Sequence, residues 1–332
     1  MNLYSWQLDL WQQLWQAGAE RVPHAVLLCG PVGIGKRAFA SVLAQSLLCK
    51  RTRADHLPCG DCDSCRYFGL SAHPDFRMVQ PDVEDGNDES EVKDKKVSEV
   101  ITIIKIRQLN DFISLTSHQN GRRAALIYPA EQLNINAANA LLKMLEEPPP
   151  ETIFILVTNQ MSRILPTIRS RCRIVKMPAP SRDQATAWLA QENCPEPALH
   201  LALAGGAPLE ALALGHSPEL QGQRKDFCTA LARPENADVI ALAESVIKLP
   251  PAAVMRWLHT WVYDLMRAKA IVENRFHVDM TKLINNLSKN IQPIELIKFN
   301  SELLDAKRLI NHPLNPKLFW ESLFIKYFTL FT

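Results

Sequence analysis

The stretch "CGPVGIGKRAF", residues 29–39, has the residue types and spacing of a phosphate-binding loop. In the G-x-x-x-x-G-K pattern, backbone N–H groups surround phosphates and the lysine reaches the outer phosphate groups. An apolar run precedes the stretch and a helical pattern follows it, as such a loop requires. A glycine-rich turn without a ligand is the alternative. The candidate nucleotide-binding residues are Gly30, Gly33, Gly35 and Lys36.

Two groups that would hold magnesium are missing from this pattern. Arg37 stands where a Ser or Thr hydroxyl binds the ion, and a guanidinium cannot ligate a cation. A carboxylate is also needed at the end of the next core strand, but "RRAALIYPAEQLN" places Tyr128 and Pro129 there. Glu131 is expected in the following turn. The sequence therefore argues against ATP hydrolysis by this chain and leaves ATP binding at the loop in doubt.

A second candidate site is the cysteine-rich stretch "PCGDCDSC". Cys59, Cys62 and Cys65 supply three thiolates, and Cys49, at the end of the preceding helical pattern, is the natural fourth ligand of a tetrahedral ion. Four thiolates leave no open position for water, so the predicted role is structural. Zinc is the expected ion, and an iron–sulfur cluster is the alternative.

Strand-like and helix-like patterns alternate through the first half of the chain. This alternation predicts a parallel sheet flanked by helices, with ligands at the carboxyl ends of the strands. Residues 81–99 are dense in charge and are expected to form a surface loop. After about residue 180 only helical patterns remain. The predicted strands lie in the stretches "AVLLCG", "RRAALIYPA", "ETIFILVTNQ" and "RCRIVKMPAP".

Composition limits the classes of protein to which the chain can belong. It has 332 residues, too many for one ordinary core, with 47% apolar residues and a net charge of only +2. A nucleic-acid contact would therefore need a local basic patch. The N-terminus lacks the pattern of a signal peptide and no run of 18 apolar residues occurs, so the cytoplasm is the expected compartment.

The order of these features resembles a known family. The degenerate loop, the four-cysteine module, "NAANALLKMLEEPPP" and "LPTIRSRCRIV" follow one another as in bacterial clamp-loader subunits of the AAA+ class. Within that class the resemblance is strongest to the δ′ (delta prime) family of the DNA polymerase III holoenzyme, a DNA-directed DNA polymerase and nucleotidyltransferase. It is specific in the first half and rests on length and helical content in the second.

The resemblance implies a fold, a role and a set of partners. It implies an AAA+ P-loop domain over 1–178 that contains a zinc module at 49–65, a helical lid over 179–217 and a helical collar over 218–332. The subunit would be a stator without ATPase activity of its own. It would assemble with γ or τ and with δ, and the complex would load the sliding clamp onto primed DNA.

The resemblance also implies a role for one arginine. Ser170, Arg171 and Cys172 match the family's S-R-C motif, whose arginine projects into the nucleotide site of the adjacent subunit. Arg171 would be this arginine finger, with Arg169 and Arg173 close enough to confuse the assignment. The lid stretch "GGAPLEAL" lacks the arginine with which the family senses its own nucleotide.

Two other functions are compatible with the same residues. One is a self-sufficient ATPase that uses Lys36 with a rearranged metal site. The other is a zinc-dependent nucleic-acid-binding module, which the low net charge and the few aromatic residues near "PCGDCDSC" disfavour.

Overall fold

The computed structural model describes residues 3–16, 22–82, 100–114, 121–310 and 315–331. Most of the predicted charged loop, residues 83–99, lies outside the described residues. The chain forms two compact units, Met1–Pro180 and Ser181–Thr332. The division of the second unit into a lid and a collar at residue 217 stays a prediction.

A five-stranded parallel sheet forms the centre of the first unit. Its strand order is β2-β3-β4-β1-β5, so that β1 lies between β4 and β5. The parallel pairing and the flanking helices confirm the predicted α/β class. Four strands coincide with the predicted stretches, whereas the edge strand β2 was not predicted. The strands are β1 Ala25–Cys29, β2 Phe76–Val79, β3 Arg123–Ile127, β4 Thr152–Thr158 and β5 Arg173–Lys176.

Helices cover both faces of this sheet. Along β1, Val26 and Leu28 pack in the core that contains Phe39 of the second helix, while Leu27 packs in the opposite core with Leu141 of the fifth. This alternation follows from the two-residue repeat of a strand with both faces buried. The helices are α1 Leu8–Trp15, α2 Lys36–Leu48, α3 Asp63–Gly69, α4 Ile103–Ser114, α5 Ile135–Glu146 and α6 Pro166–Arg169.

Local sequence sets the two ends of α5, the helix of the "NAANALLKMLEEPPP" stretch. The Asn134 side chain accepts a hydrogen bond of 2.8 Å from the backbone N–H of Ala137, which caps the first turn. At the other end the helix stops at Glu146, and the prolines at 148–150 cannot continue it. The helical spacing of Leu141, Leu142 and Leu145 predicts three core residues; Leu141 and Leu145 are buried, whereas Leu142 is half-buried at the edge of the core.

The second unit is entirely helical in the part that the structure describes. A small hydrophobic cluster joins its first three helices, and a larger one joins the remaining six. Among the described residues no single helix is long and apolar enough to cross a membrane. Two short helices, Pro197–Leu203 and Pro208–Gly215, pass this test of length and composition only when taken together, and they are bent by 116°. The helices are α7 Arg182–Gln191, α8 Pro197–Leu203, α9 Pro208–Gly215, α10 Pro218–Leu231, α11 Val239–Ile247, α12 Pro251–Lys269, α13 Thr281–Ser288, α14 Pro293–Leu309 and α15 Pro316–Thr329.

Candidate functional site

The glycine-rich loop lies between the end of β1 and the start of α2, at the carboxyl edge of the sheet. Gly33 and Gly35 have φ angles of 73° and 84°, in the left-handed region that glycine adopts without strain. A Cβ atom on Gly30 would lie 2.4 Å from the carbonyl oxygen of Met177. The loop backbone therefore needs glycine at Gly33 and Gly35 for its φ angles and at Gly30 for space.

The N-terminal segment packs directly on this loop. The indole of Trp6 and the side-chain amide of Gln7 each donate a hydrogen bond of 3.0 Å to the carbonyl oxygen of Ile34. A Cβ atom on Gly35 would lie 2.4 Å from the ring of Tyr4. These contacts fix the loop backbone from a distant part of the sequence, and no local pattern could have predicted them.

Lys36 turns back into its own loop. Its side chain is buried, and Nζ donates a hydrogen bond to the carbonyl oxygen of Pro31. Burial lowers the pKa of Lys36 to about 8, although the charges of Glu131 and Cys29 act in the opposite direction. The ammonium group is therefore protonated at neutral pH, and its hydrogen bond is made within the protein.

Glu131 provides the buried negative charge that acts on Lys36. It lies in a short 3-10 helix, Ala130–Gln132, that follows β3, which is the turn expected from the sequence. Its Oε1 accepts a 3.0 Å hydrogen bond from the backbone N–H of Asn159, while Oε2 is buried without a hydrogen-bond partner. The carboxylate is therefore compensated in part by the charge of Lys36.

Arg37 and Tyr128, the two residues that stand in place of magnesium-binding groups, contact each other. The guanidinium carbon of Arg37 lies 5.7 Å from the centroid of the Tyr128 ring, a cation–π geometry. The same guanidinium reaches the sulfur of Met78 at 3.9 Å. A permanent cation and an aromatic ring thus stand at the two sequence positions where a metal ion would need a hydroxyl and a carboxylate.

Replacing Lys36 alone with methionine is expected to destabilise the protein by about 1–3 kcal/mol, because the half-satisfied carboxylate of Glu131 would remain buried without the nearby charge of Lys36. The double variant Lys36→Met, Glu131→Gln removes both charges, so most of that loss should be recovered. Urea unfolding of the four proteins of this double-mutant cycle measures the coupling. Simple addition of the two single losses would contradict the pairing.

Arg171 lies in the turn after α6 and is folded onto its own subunit. Its Nη2 forms an ion pair of 2.6 Å with Oε1 of Glu146, and its Nη1 donates to the carbonyl oxygen of Thr167 at 3.0 Å and to Ser170 Oγ at 3.3 Å. The side chain is 35% exposed. The sequence around Glu146, "MLEEPPP", indicates only the end of a helix, so this partner was missed.

The four predicted cysteines come together in one cluster. Their sulfur atoms all lie within 4.8 Å of one another, a group that could hold a metal ion. Four of the Sγ to Sγ distances are 3.6 to 3.9 Å. A tetrahedral ion with metal–sulfur bonds of about 2.3 Å requires edges of about 3.8 Å. The cluster joins the end of α2 (Cys49) to the turn before α3 (Cys59 and Cys62) and to α3 itself (Cys65).

Backbone N–H groups also point at the sulfurs. The N–H groups of Cys59 and Cys62 donate to the sulfurs of Cys49 and Cys59 at 3.4 Å, and Gly60 supplies a φ of 85° in the turn between them. Although burial acts to raise it, backbone N–H groups, including that of Cys65, lower the pKa of Cys62 to about 6. Such donors stabilise thiolates, the form in which cysteine binds a metal.

Comparison with known proteins places these features in one family. A family model described as "DNA polymerase III, delta subunit" matches residues 6–181, and a second, described as its C-terminal part, matches 218–327. The chain is 34% identical over 99% of its length to "DNA polymerase III subunit delta'" of Pseudomonas aeruginosa, of which it covers 98%. The chain belongs to the δ′ family of DNA polymerase III. This confirms the resemblance drawn from the loop, the cysteines and the S-R-C stretch.

More distant δ′ relatives match over most of their length as well. The proteins of that name from Escherichia coli and Yersinia pestis are 30% and 29% identical, and the matches span 89% and 94% of this chain and 86% and 95% of theirs. The δ′ family match and the parallel sheet together confirm the AAA+ clamp-loader fold predicted for the first unit.

Proposed function

We propose that this δ′ family member is a non-hydrolysing stator of a clamp loader. The observation that carries the proposal is the contact between Arg37 and Tyr128, the two residues that stand where magnesium ligands are needed, because neither group can hold the ion. Lys36, hydrogen-bonded to Pro31, supports it. The residues Gly30, Gly33, Gly35 and Lys36 then form a relic of a nucleotide site whose present role is structural.

The chain acts on ATP through Arg171 instead. A guanidinium that enters a neighbouring site stabilises the negative charge that develops on the transferring phosphoryl group, and such a finger accelerates hydrolysis by about a thousandfold or more. ATP bound by the adjacent γ or τ subunit would be the target. The loader uses that hydrolysis to place the sliding clamp on primed DNA.

The rest of the chain serves assembly. Residues 1–178 would be the AAA+ domain, 179–217 the lid and 218–332 the collar that packs against sister subunits, among them the δ subunit that opens the clamp. Apolar side chains exposed on the last two helices suit such packing. They include Ile294, Ile297, Leu304, Leu318 and Ile325.

The protein would act in the cytoplasm, where DNA is replicated.

The cysteine cluster would hold one structural zinc ion. Cys49, Cys59, Cys62 and Cys65 would each supply one sulfur, which leaves no position for a substrate. Zinc fits the sulfur spacing, and no residue assigned above has a redox role. The ion would fix the turn between α2 and α3.

ATP hydrolysis by the isolated chain tests the stator proposal against its main alternative. Purified protein with magnesium and ATP is expected to hydrolyse no more ATP than the Lys36→Met, Glu131→Gln variant, because Arg37 and Tyr128 cannot serve as magnesium ligands. Turnover that this variant abolishes would instead identify a self-sufficient ATPase.

A further inference from the structure

The ion pair between Arg171 and Glu146 bears on how the arginine finger is controlled. Three contacts hold the guanidinium on its own subunit: an ion pair with Glu146 at 2.6 Å, and hydrogen bonds to the Thr167 carbonyl at 3.0 Å and to Ser170 Oγ at 3.3 Å. To reach a phosphate in the neighbouring subunit, the Arg171 guanidinium has to break its ion pair with Glu146. The free and the working positions of Arg171 are therefore different states, and Glu146 stabilises the free one.

Glu146 is well placed to act as a fixed anion. It is the last residue of α5, and the prolines at 148–150 hold the chain that follows. A carboxylate and a phosphate both match the planar fork of a guanidinium, so a phosphate can take over the same N–H donors. The side chains of Arg171 and Glu146 are 35% and 48% exposed, which makes the pair weak enough to exchange.

We infer that Glu146 is a positioning residue that keeps Arg171 folded back until a phosphate in the neighbouring subunit displaces it. The inference rests on the proposed function for its consequence in the loader. Without Glu146 the folded-back position of Arg171 loses its ion pair and becomes less populated. Arg171 would then reach the neighbouring subunit's ATP at a lower ATP concentration. A half-exposed pair of this kind shifts such an equilibrium by about 1.4- to 5-fold.

The first test uses the isolated chain and does not depend on the arginine-finger role. An arginine-selective dicarbonyl reagent is applied to the wild type, to Glu146→Gln and to the matched control Glu147→Gln, and modification of each arginine is measured by mass spectrometry. Arg171 should be modified about 1.4 to 5 times faster in Glu146→Gln alone, with Arg169 as the internal reference. Equal Arg171 rates in all three proteins would overturn the inference.

The second test uses a loader reconstituted with the same three proteins. Glu146→Gln is expected to lower the ATP concentration for half-maximal hydrolysis by about 1.4- to 5-fold while maximal turnover is unchanged, and Glu147→Gln should match the wild type. A misfolded variant would lose maximal turnover instead. A higher half-saturating concentration in a folded loader would overturn the inference. An Arg171→Ala loader without any defect would overturn the proposed function, and the labelling result would still decide whether Glu146 holds Arg171.

Discussion

Replacing Arg171 with alanine is expected to slow ATP hydrolysis about a thousandfold at the one nucleotide site that faces this subunit. The rate falls because Arg171 is the cation of this chain that is proposed to stabilise the negative charge developing on the transferring phosphoryl group. In a single-turnover experiment with clamp and primed DNA, the amplitude of the hydrolysis burst should fall by one ATP per loader. Sites that receive arginines from other subunits should keep their rates.

Two further substitutions separate the chemistry of Arg171 from the charge of the turn. Arg169→Ala removes a neighbouring exposed cation and should leave the burst intact. Arg171→Lys keeps the charge but loses the planar fork, so most of the defect should remain. A full burst from Arg171→Ala, or an equal loss from Arg169→Ala, would exclude Arg171 as the finger.

Removal of the metal ion that the four cysteines would hold is expected to unfold the segment around the cluster. Structural zinc contributes about 10–16 kcal/mol in zinc-finger peptides, far more than the few contacts of a short loop can replace. The purified protein should contain one zinc ion per chain and show no visible absorption from iron–sulfur. A chelator, or Cys62→Ser, should remove the ion and abolish amide-exchange protection in α3.

The chain supplies a matched control for that prediction. Cys194 is a buried cysteine in the second unit, outside the cluster. Cys194→Ser should therefore retain the full zinc content and the protection of α3. If protein that lacks metal as purified still showed full amide-exchange protection in α3, the cluster would not be a structural metal site.

Much of the sheet could be predicted because its central strands are continuous apolar runs. All five residues of β1 and all seven of β4 are buried, and such runs between turn signals are the pattern of a parallel sheet. The edge strand β2 escaped prediction. It has four residues, Arg77 interrupts its apolar pattern, and among the described residues it pairs with β3 alone.

The candidate sites could be predicted where their residues are close in sequence, and not where the contacts join distant residues. The cysteine cluster was predictable because close spacing in sequence already limits the ligand geometry. The contacts of Arg37 with Tyr128 and of Arg171 with Glu146 join residues far apart in the chain, so only the packing of sheet and helices creates them. The return of Lys36 to Pro31 is local, but the same residues would also suit a lysine that reaches out to a phosphate.

ATP hydrolysis by the reconstituted loader, with either Arg171→Ala or the paired change Lys36→Met, Glu131→Gln in this subunit, tests the central claim most directly. The paired change removes the loop charges without leaving one of them buried alone. The account predicts that Arg171→Ala removes one site's share of the burst and that the paired variant hydrolyses ATP like the wild type. A normal burst from Arg171→Ala together with a defect in the folded paired variant would show that the loop still handles nucleotide and would contradict the account.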